Sequence, residues 1–227
     1  SCYVTVLPKY AALIALLELF GFRQQPERTD LGESVYAKQM VPRDFALEPL
    51  AFHVAFGPRH VVRAVPTHIV PILPKYEAML FPEQQQQLAL IHQDQPFGNA
   101  ILKAYLCRAG TRKLQPGNVL FFYRSQDQKA IRQMGVVEAT LVSRSPNAIA
   151  RFVGLRTVYR LREIEEQCAD GDVLAIKFRH ARTLNRITLE TLRRCMILKS
   201  APQSIHQLAG DSNDLLWKLI DEGAEPV

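Results

Sequence analysis

Gln115-Pro116-Gly117-Asn118 is a tetrapeptide that neither a helix nor a central strand can pass through. Proline fixes its own φ and carries no amide proton, and glycine is the residue most at ease at positive φ, so the four residues must turn the chain. Val119-Leu120-Phe121-Phe122-Tyr123-Arg124 follows at once and is aromatic and β-rich, which makes it a strand entered directly from the turn. The same rhythm predicts strands over 103–108, 134–143 and 173–178. Short helices are expected over 146–153, 161–168, 188–194 and 202–208, with a final amphipathic helix over 211–220 capped by Asp211 or Ser212 and carrying Leu215, Leu216, Trp217, Leu219 and Ile220. Short strands of uneven spacing, interrupted by short helices, predict an α+β fold built on a small, partly open mixed β-barrel with peripheral helices.

Charge is concentrated in the same region. Residues 98–200 hold 19 Lys or Arg against 8 Asp or Glu, a net +11, whereas the remainder holds 9 against 14, a net −5. A localised basic field is the footprint of a protein that meets a polyanion, because each neutralised phosphate releases counterions. The expected partner is therefore nucleic acid.

The N-terminal part reads differently. Residues 2–7 form a β-branched strand, Pro8 suits a helix start, 11–20 are helix formers closed by Gly21, residues 24–32 form a polar loop, and 34–40 alternate as a second strand. Residues 43–96 are rich in proline and read as a connector with some structure of its own, including a strand over 50–56 and a helix over 83–92. The division expected is thus a fragment over 1–42, the connector, a nucleic-acid-binding domain over 97–210, and a C-terminal helix and tail over 211–227. The apolar start at Tyr3-Val4-Thr5-Val6-Leu7, with no Met and no leader, reads as a cut inside a longer protein. The longest apolar run, over 10–22, is broken by Glu18 and is shorter than a membrane span, so no membrane is expected. Cys2, Cys107, Cys168 and Cys195 are scattered without a C-x-x-C pair, which fits a reducing cytoplasmic setting.

Lys113-Leu114-Gln115-Pro116-Gly117-Asn118-Val119-Leu120-Phe121-Phe122-Tyr123-Arg124-Ser125, followed by Gly135-Val136-Val137-Glu138, resembles the central strands of PUA-like domains, the group that holds the PUA, ASCH and EVE families. There a K-x-x-P-G-D-x-x-F turn leads into a barrel strand and a second strand carries G-V-V-E. Asn118 stands where Asp is more usual, a change that a turn tolerates. Gly98-Asn99-Ala100-Ile101-Leu102-Lys103 does not reproduce the G-x-K-x-x-E-x-R signature typical of ASCH domains, so a hydrolase activity of that kind does not carry over.

The resemblance implies binding of RNA or of modified bases in DNA, and base recognition needs aromatic faces, polar edges and cations. Tyr105, Tyr123, Tyr159 and Phe178 are the stacking candidates, Asn99, Ser125, Gln203 and Ser204 the edge readers, and Lys103, Arg124, Arg156 and Arg179 the cations. Phe121, Phe122 and Phe178 read more naturally as core, whereas Tyr123 and Tyr159 each lie near an arginine and carry a hydroxyl to satisfy.

A second resemblance lies at the N-terminus. Tyr3-Val4-Thr5-Val6-Leu7, the helix, Phe20-Gly21-Phe22 and Gly32-Glu33-Ser34-Val35-Tyr36-Ala37-Lys38 resemble the closing strand, helix and strand of a GNAT-type N-acetyltransferase. The family's acetyl-CoA pyrophosphate loop does not occur in these residues, and Leu17 stands where many members have a tyrosine general acid. The implied picture is a binding module joined to an acetyltransferase in a longer parent, or alternatively the tail of such an enzyme. Acetyl-CoA would belong to that parent; no cofactor and no catalytic residue are expected in this chain. His53, His60 and His68 lack carboxylate or cysteine neighbours at ligand spacing, and Glu163-Ile164-Glu165-Glu166 reads as solvated helix surface. A scaffold role, with 1–95 and the last helix docking partners or a second copy as a homodimer, is left open by the sequence.

Overall fold

The computed structural model describes residues 1–43, 45–82, 100–108, 111 and 113–223. The chain forms two compact units, Ser1–Val62 and Arg63–Val227. The helix expected over 83–92 lies outside the described residues.

In the first unit, β1 (Cys2–Val6), α1 (Ala11–Leu19), β2 (Arg23–Arg28), β3 (Ser34–Lys38) and α2 (Pro49–Phe56) follow one another. The strands form an antiparallel sheet in the order β1-β3-β2. The polar loop expected over 24–32 is largely β2. An edge strand needs only main-chain partners, so its polar residues conceal it, and Pro26 sits within the register shift where no donor is required. The strand expected over 50–56 is the helix α2. Pro49 opens it, and Phe52, His53 and Phe56 are buried at helical spacing, with the two phenylalanine rings 5.1 Å apart. Gly21 has φ +82°, and a Cβ there would meet the Val54 carbonyl oxygen at 2.0 Å, so only glycine lets the chain leave α1 at that point. No residue of α1 is buried, and Tyr10, Leu13 and Leu16 are exposed on or beside it.

The second unit contains β4 (Thr67–Ile72), α3 (Pro74–Leu80), β5 (Leu102–Cys107), β6 (Val119–Arg124), β7 (Ala130–Ser143), α4 (Pro146–Val153), a short 3-10 turn (Gly154–Arg156), α5 (Leu161–Ala169), β8 (Val173–Thr188), α6 (Leu189–Arg194), β9 (His206–Gln207) and α7 (Gly210–Asp221). Six strands make one mixed sheet in the order β5-β8-β7-β6-β4-β9. Every pairing is antiparallel except β4 with β6.

The turn that opened the sequence reading organises this sheet. Gly117 adopts φ +87°, the Gln115 amide donates to Asn118 Oδ1 at 3.0 Å, and the Gly117 amide donates to the Val137 carbonyl at 2.9 Å. The chain is thereby delivered into β6 already in register with β7. Alternation along β6 then covers both faces of the sheet. Leu120 and Phe122 enter the main core with Tyr105, Phe81 and Phe178, while Phe121 meets Trp217 of α7 edge-on at 5.4 Å. The main core also takes in Ile149 and Val153 of α4 and Ile164 of α5.

Three expectations change here. The presumed connector contains β4, a buried strand between β6 and β9. Pro71 is tolerated in it because β9 pairs only as far as His68 and Ile69. The helix expected over 202–208 is replaced by bends and β9, because pairing with β4 satisfies the edge that a helix would leave open; the Leu208 amide also donates to the Thr67 carbonyl at 2.9 Å. The strands β7 and β8 run to 14 and 16 residues, well past the apolar stretches that announced them. Their outer halves pair with each other, Ala130 opposite Thr188, and three register shifts bend the pair. Among the described residues no helix is long and apolar enough to cross a membrane.

Candidate nucleic-acid interface

Because β4 and β6 are parallel, their C-terminal ends finish side by side, Ile72 opposite Arg124. Beside those ends lies a cavity of about 710 Å³. Pro71 and Leu73 bring the end of β4 to it, Tyr76 comes from α3, and Tyr105, Leu106, Cys107 and Arg108 come from β5. Tyr123, Ser125, Gln126 and Lys129 supply the end of β6 and its turn. Tyr159, Gln167 and residues 201–205 close the remaining sides.

The tyrosines form a connected wall. The Tyr76 and Tyr159 rings stand 4.5 Å apart and Tyr105 lies 6.4 Å from Tyr159. The Tyr105 hydroxyl donates to the Pro71 carbonyl at 3.0 Å and the Tyr159 hydroxyl to the Leu106 carbonyl at 2.9 Å, and burial drives both far above the ordinary phenol range. Tyr123 is different. Its ring is fully buried, and its hydroxyl has no hydrogen-bond partner among the described residues. Burial raises its pKa while the charge of Arg193 pulls the other way. Burial pushes the Cys107 thiol up to about 12, which removes it as a nucleophile at neutral pH.

Of the residues nominated from sequence, Tyr105, Tyr123, Ser125, Tyr159, Gln203 and Ser204 meet around this cavity. Ser125 Oγ donates to the Ile72 carbonyl at 3.1 Å, and Gln203 Nε2 donates to the Ala201 carbonyl at 3.4 Å. The four nominated cations are placed elsewhere. Arg124 is held by Glu77 and Asp127 at 2.5 Å each, which raises its own pKa and holds Asp127 down at about 2. Arg156 and Arg179 both face Glu138, at 3.0 and 3.2 Å. Lys103 is buried with its ammonium 5.4 Å from the Phe81 ring centre, and Phe178 is core. Asn99 lies outside the described residues.

Sequence reasoning missed Tyr76, Arg108, Lys129 and Gln167. Tyr76 was hidden because its neighbourhood read as connector, so nothing marked β4 as the strand that delivers α3 to the cavity. Lys129 occupies a turn residue at φ +44°, a conformation no sequence signal announces for lysine. Arg108, exposed and paired with Asp170, and the exposed Lys129 are the cations of the lining. No Asp or Glu is among the described residues that line the cavity. Among the described residues no group of three or more His, Cys, Asp or Glu side chains could hold a metal ion. His53 instead bonds the His60 carbonyl at 2.9 Å, His60 the Met40 carbonyl at 3.1 Å, and His68 is buried in β4.

A Ser-to-Ala variant of the ASCH protein from Zymomonas mobilis superposes on this chain with a TM-score of 0.52 at 12% identity, over 68% of this chain and 99% of that one. So large a share must draw chiefly on the second unit. The unsubstituted ASCH protein of the same organism gives a TM-score of 0.48 at 15% identity over 67% of this chain and 94% of its own, and adds nothing further. At such identities the likeness shows the fold alone. No protein-family model matches the sequence. No curated protein matches it either.

Proposed function

We propose that the second unit is a nucleic-acid-binding module that takes a nucleotide of RNA, or of DNA carrying a modified base, into the tyrosine-walled cavity. The observation that carries this reading is the lining itself: a cluster of aromatic rings, polar edges from Ser125, Gln126, Gln167, Gln203 and Ser204, exposed Arg108 and Lys129, and no carboxylate among the described residues. Half-buried Tyr76, backed by the buried tyrosines, contributes stacking surface, amides and hydroxyls read edges, and the two cations favour phosphate. The fold supports the reading without deciding the ligand.

The test is a fluorescence-anisotropy titration of the chain at low salt with RNA, single-stranded DNA and methylated duplex. Association that weakens with salt, and falls about fivefold or more on Tyr76→Ala and Lys129→Gln, is expected. Arg156→Gln should leave affinity unchanged, because that guanidinium is committed to Glu138. Absence of association with all three probes overturns the reading.

A second reading concerns the first unit and is favoured by α1, an apolar helix with no buried residue, which in water calls for a cover. It holds that this strand-helix-strand unit completes an acetyltransferase fold in a longer parent polypeptide. A rise in melting temperature with acetyl-CoA, in this chain or in a parent that includes it, supports the reading; no rise in either refutes it.

A further inference from the structure

A second groove of about 540 Å³ adjoins the cavity, and the two share residues Ala201, Pro202, Gln203 and Ser204 as a common wall. The far side of that groove begins at Met196 and Lys199. Met196 is 82% exposed, in the left-handed region at φ +55°. A side chain at such a φ is strained, and here it gains no packing in return. The strain is imposed from both sides. The Met196 amide donates to the Arg193 carbonyl at 2.9 Å, while buried Ile197 and Leu198 return their amides to the Leu192 carbonyl at 2.8 and 3.2 Å. The backbone at this position is thereby fixed, and the methionine side chain is presented to solvent.

The surrounding charge is positive. Residues 189–200 carry Arg193, Arg194 and Lys199 against Glu190 alone. Arg193 braces the lysine's backbone, its Nε donating to the Lys199 carbonyl at 3.2 Å. The groove is of mixed character, with Ile197, Leu198, Ala201 and Pro202 lining it beside Ser200, His206 and Ser212. A narrow mixed groove with an exposed methionine and a lysine at its edge suits a base step and its phosphate; a lipid surface would want a broad apolar face.

We infer that a single strand whose nucleotide occupies the tyrosine cavity continues over the 201–204 wall into this groove, where Met196 supports the adjacent base and Lys199 holds the intervening phosphate. The inference rests on the nucleotide-binding reading of the cavity and adds the path of the strand. It makes the recognised unit at least a dinucleotide, with apolar contact as well as charge at the second position.

The experiment compares the whole chain with its Met196→Gly and Lys199→Gln variants. Glycine relaxes the strained backbone, so the first variant keeps its fold, which an unchanged or raised melting temperature confirms. Probes are a labelled mixed-sequence octamer, as RNA and as DNA, and the four ribonucleoside monophosphates, which fill the cavity alone. Met196→Gly is expected to weaken octamer binding about fivefold with monophosphate binding unchanged. Lys199→Gln is expected to lower the slope of log affinity against log salt by about 0.7. If the parent binds the octamer and both variants match it, or weaken the monophosphates equally, this inference falls and the cavity reading stands. If the parent binds none of the probes, both fall. Loss of binding to anionic phosphatidylserine vesicles on Met196→Gly, with octamer binding untouched, also overturns it in favour of a membrane.

Discussion

Acidification from about pH 7.5 to about pH 4.5 should remove roughly 5 kcal/mol of stability from the second unit, because two of its histidines are held neutral by the fold. His68 is 1% exposed, and neither ring nitrogen has a partner among the described residues. Burial lowers its pKa to about 4, helped by the nearby charges of His206 and Lys113. His180 is brought to about 4 by burial and by Lys103, with its Nε2 2.8 Å from Gln133 Oε1 and its ring against Phe81. In the unfolded chain both return to the ordinary imidazole value of 6.5, so the unfolded state takes up protons first as pH falls. The stabilisation is whole above that value and is lost as pH drops through the window down to about 4. At about pH 4.5 the loss amounts to about 2.5 kcal/mol for each histidine, set against a typical domain stability of roughly 5–15 kcal/mol. The ion-paired carboxylates Asp127, Glu163 and Asp221 are pulled below their ordinary range, so the stability they add is present at neutral pH and lost mostly at lower pH than this window. Urea unfolding followed by fluorescence of Trp217, the single tryptophan and buried against Phe121, reads this unit directly. The decisive comparison is His68→Gln, whose loss between the two pH values should be about 2.5 kcal/mol smaller than the parent's whatever its absolute stability. Equal losses in the two proteins would refute the reasoning.

Three further outcomes are expected. Gly135→Ala would place a Cβ 2.7 Å from Phe178 Cδ2 and 3.1 Å from the Arg179 carbonyl, and should cost about 1–3 kcal/mol in the same urea assay; a neutral result would mean that β8 yields easily. Tyr123→Phe deletes a buried hydroxyl without a partner, so the melting temperature should hold or rise; a fall equivalent to more than about 1 kcal/mol would show that the hydroxyl is bonded in solution. Glu138→Gln removes the shared carboxylate of Arg156 and the buried Arg179, and about 2 kcal/mol should be lost after discounting for its partial exposure, whereas an unchanged urea midpoint would show that Arg179 relies on other groups.

The strand-turn-strand heart of the second unit was legible because its signals are local. Pro116-Gly117 has essentially one way to bend, and the alternation along β6 buries both faces wherever the strand is placed. The helices α4, α5, α6 and α7 were legible for the same reason, each carrying its own cap or apolar stripe. Elements defined by a distant partner were misread. A polar edge strand such as β2, a proline-bearing inner strand such as β4, and a two-residue strand such as β9 owe their conformation to main-chain pairing across the sheet. The short run at α2, apolar throughout, suits helix and strand equally until its buried face is known.

The candidate site divides along the same line. Tyr105, Tyr123, Tyr159, Ser125, Gln203 and Ser204, nominated by residue type, lie at the cavity, whereas Tyr76 and Gln167, which line it as well, carried no signal of their own. Residue type could not sort the cations. Each cation in 98–200 adds the same unit to the net charge, yet Arg124, Arg156 and Arg179 are committed to carboxylates while Lys129 and Lys199 border the openings. The sequence by itself determined that a basic, β-rich unit would form around the Pro-Gly turn, because backbone sterics and side-chain alternation act over a few residues. Only the tertiary structure decided which charges are free to meet a ligand and where the cavity lies, because ion pairing and the meeting of strand ends depend on residues far apart in the chain.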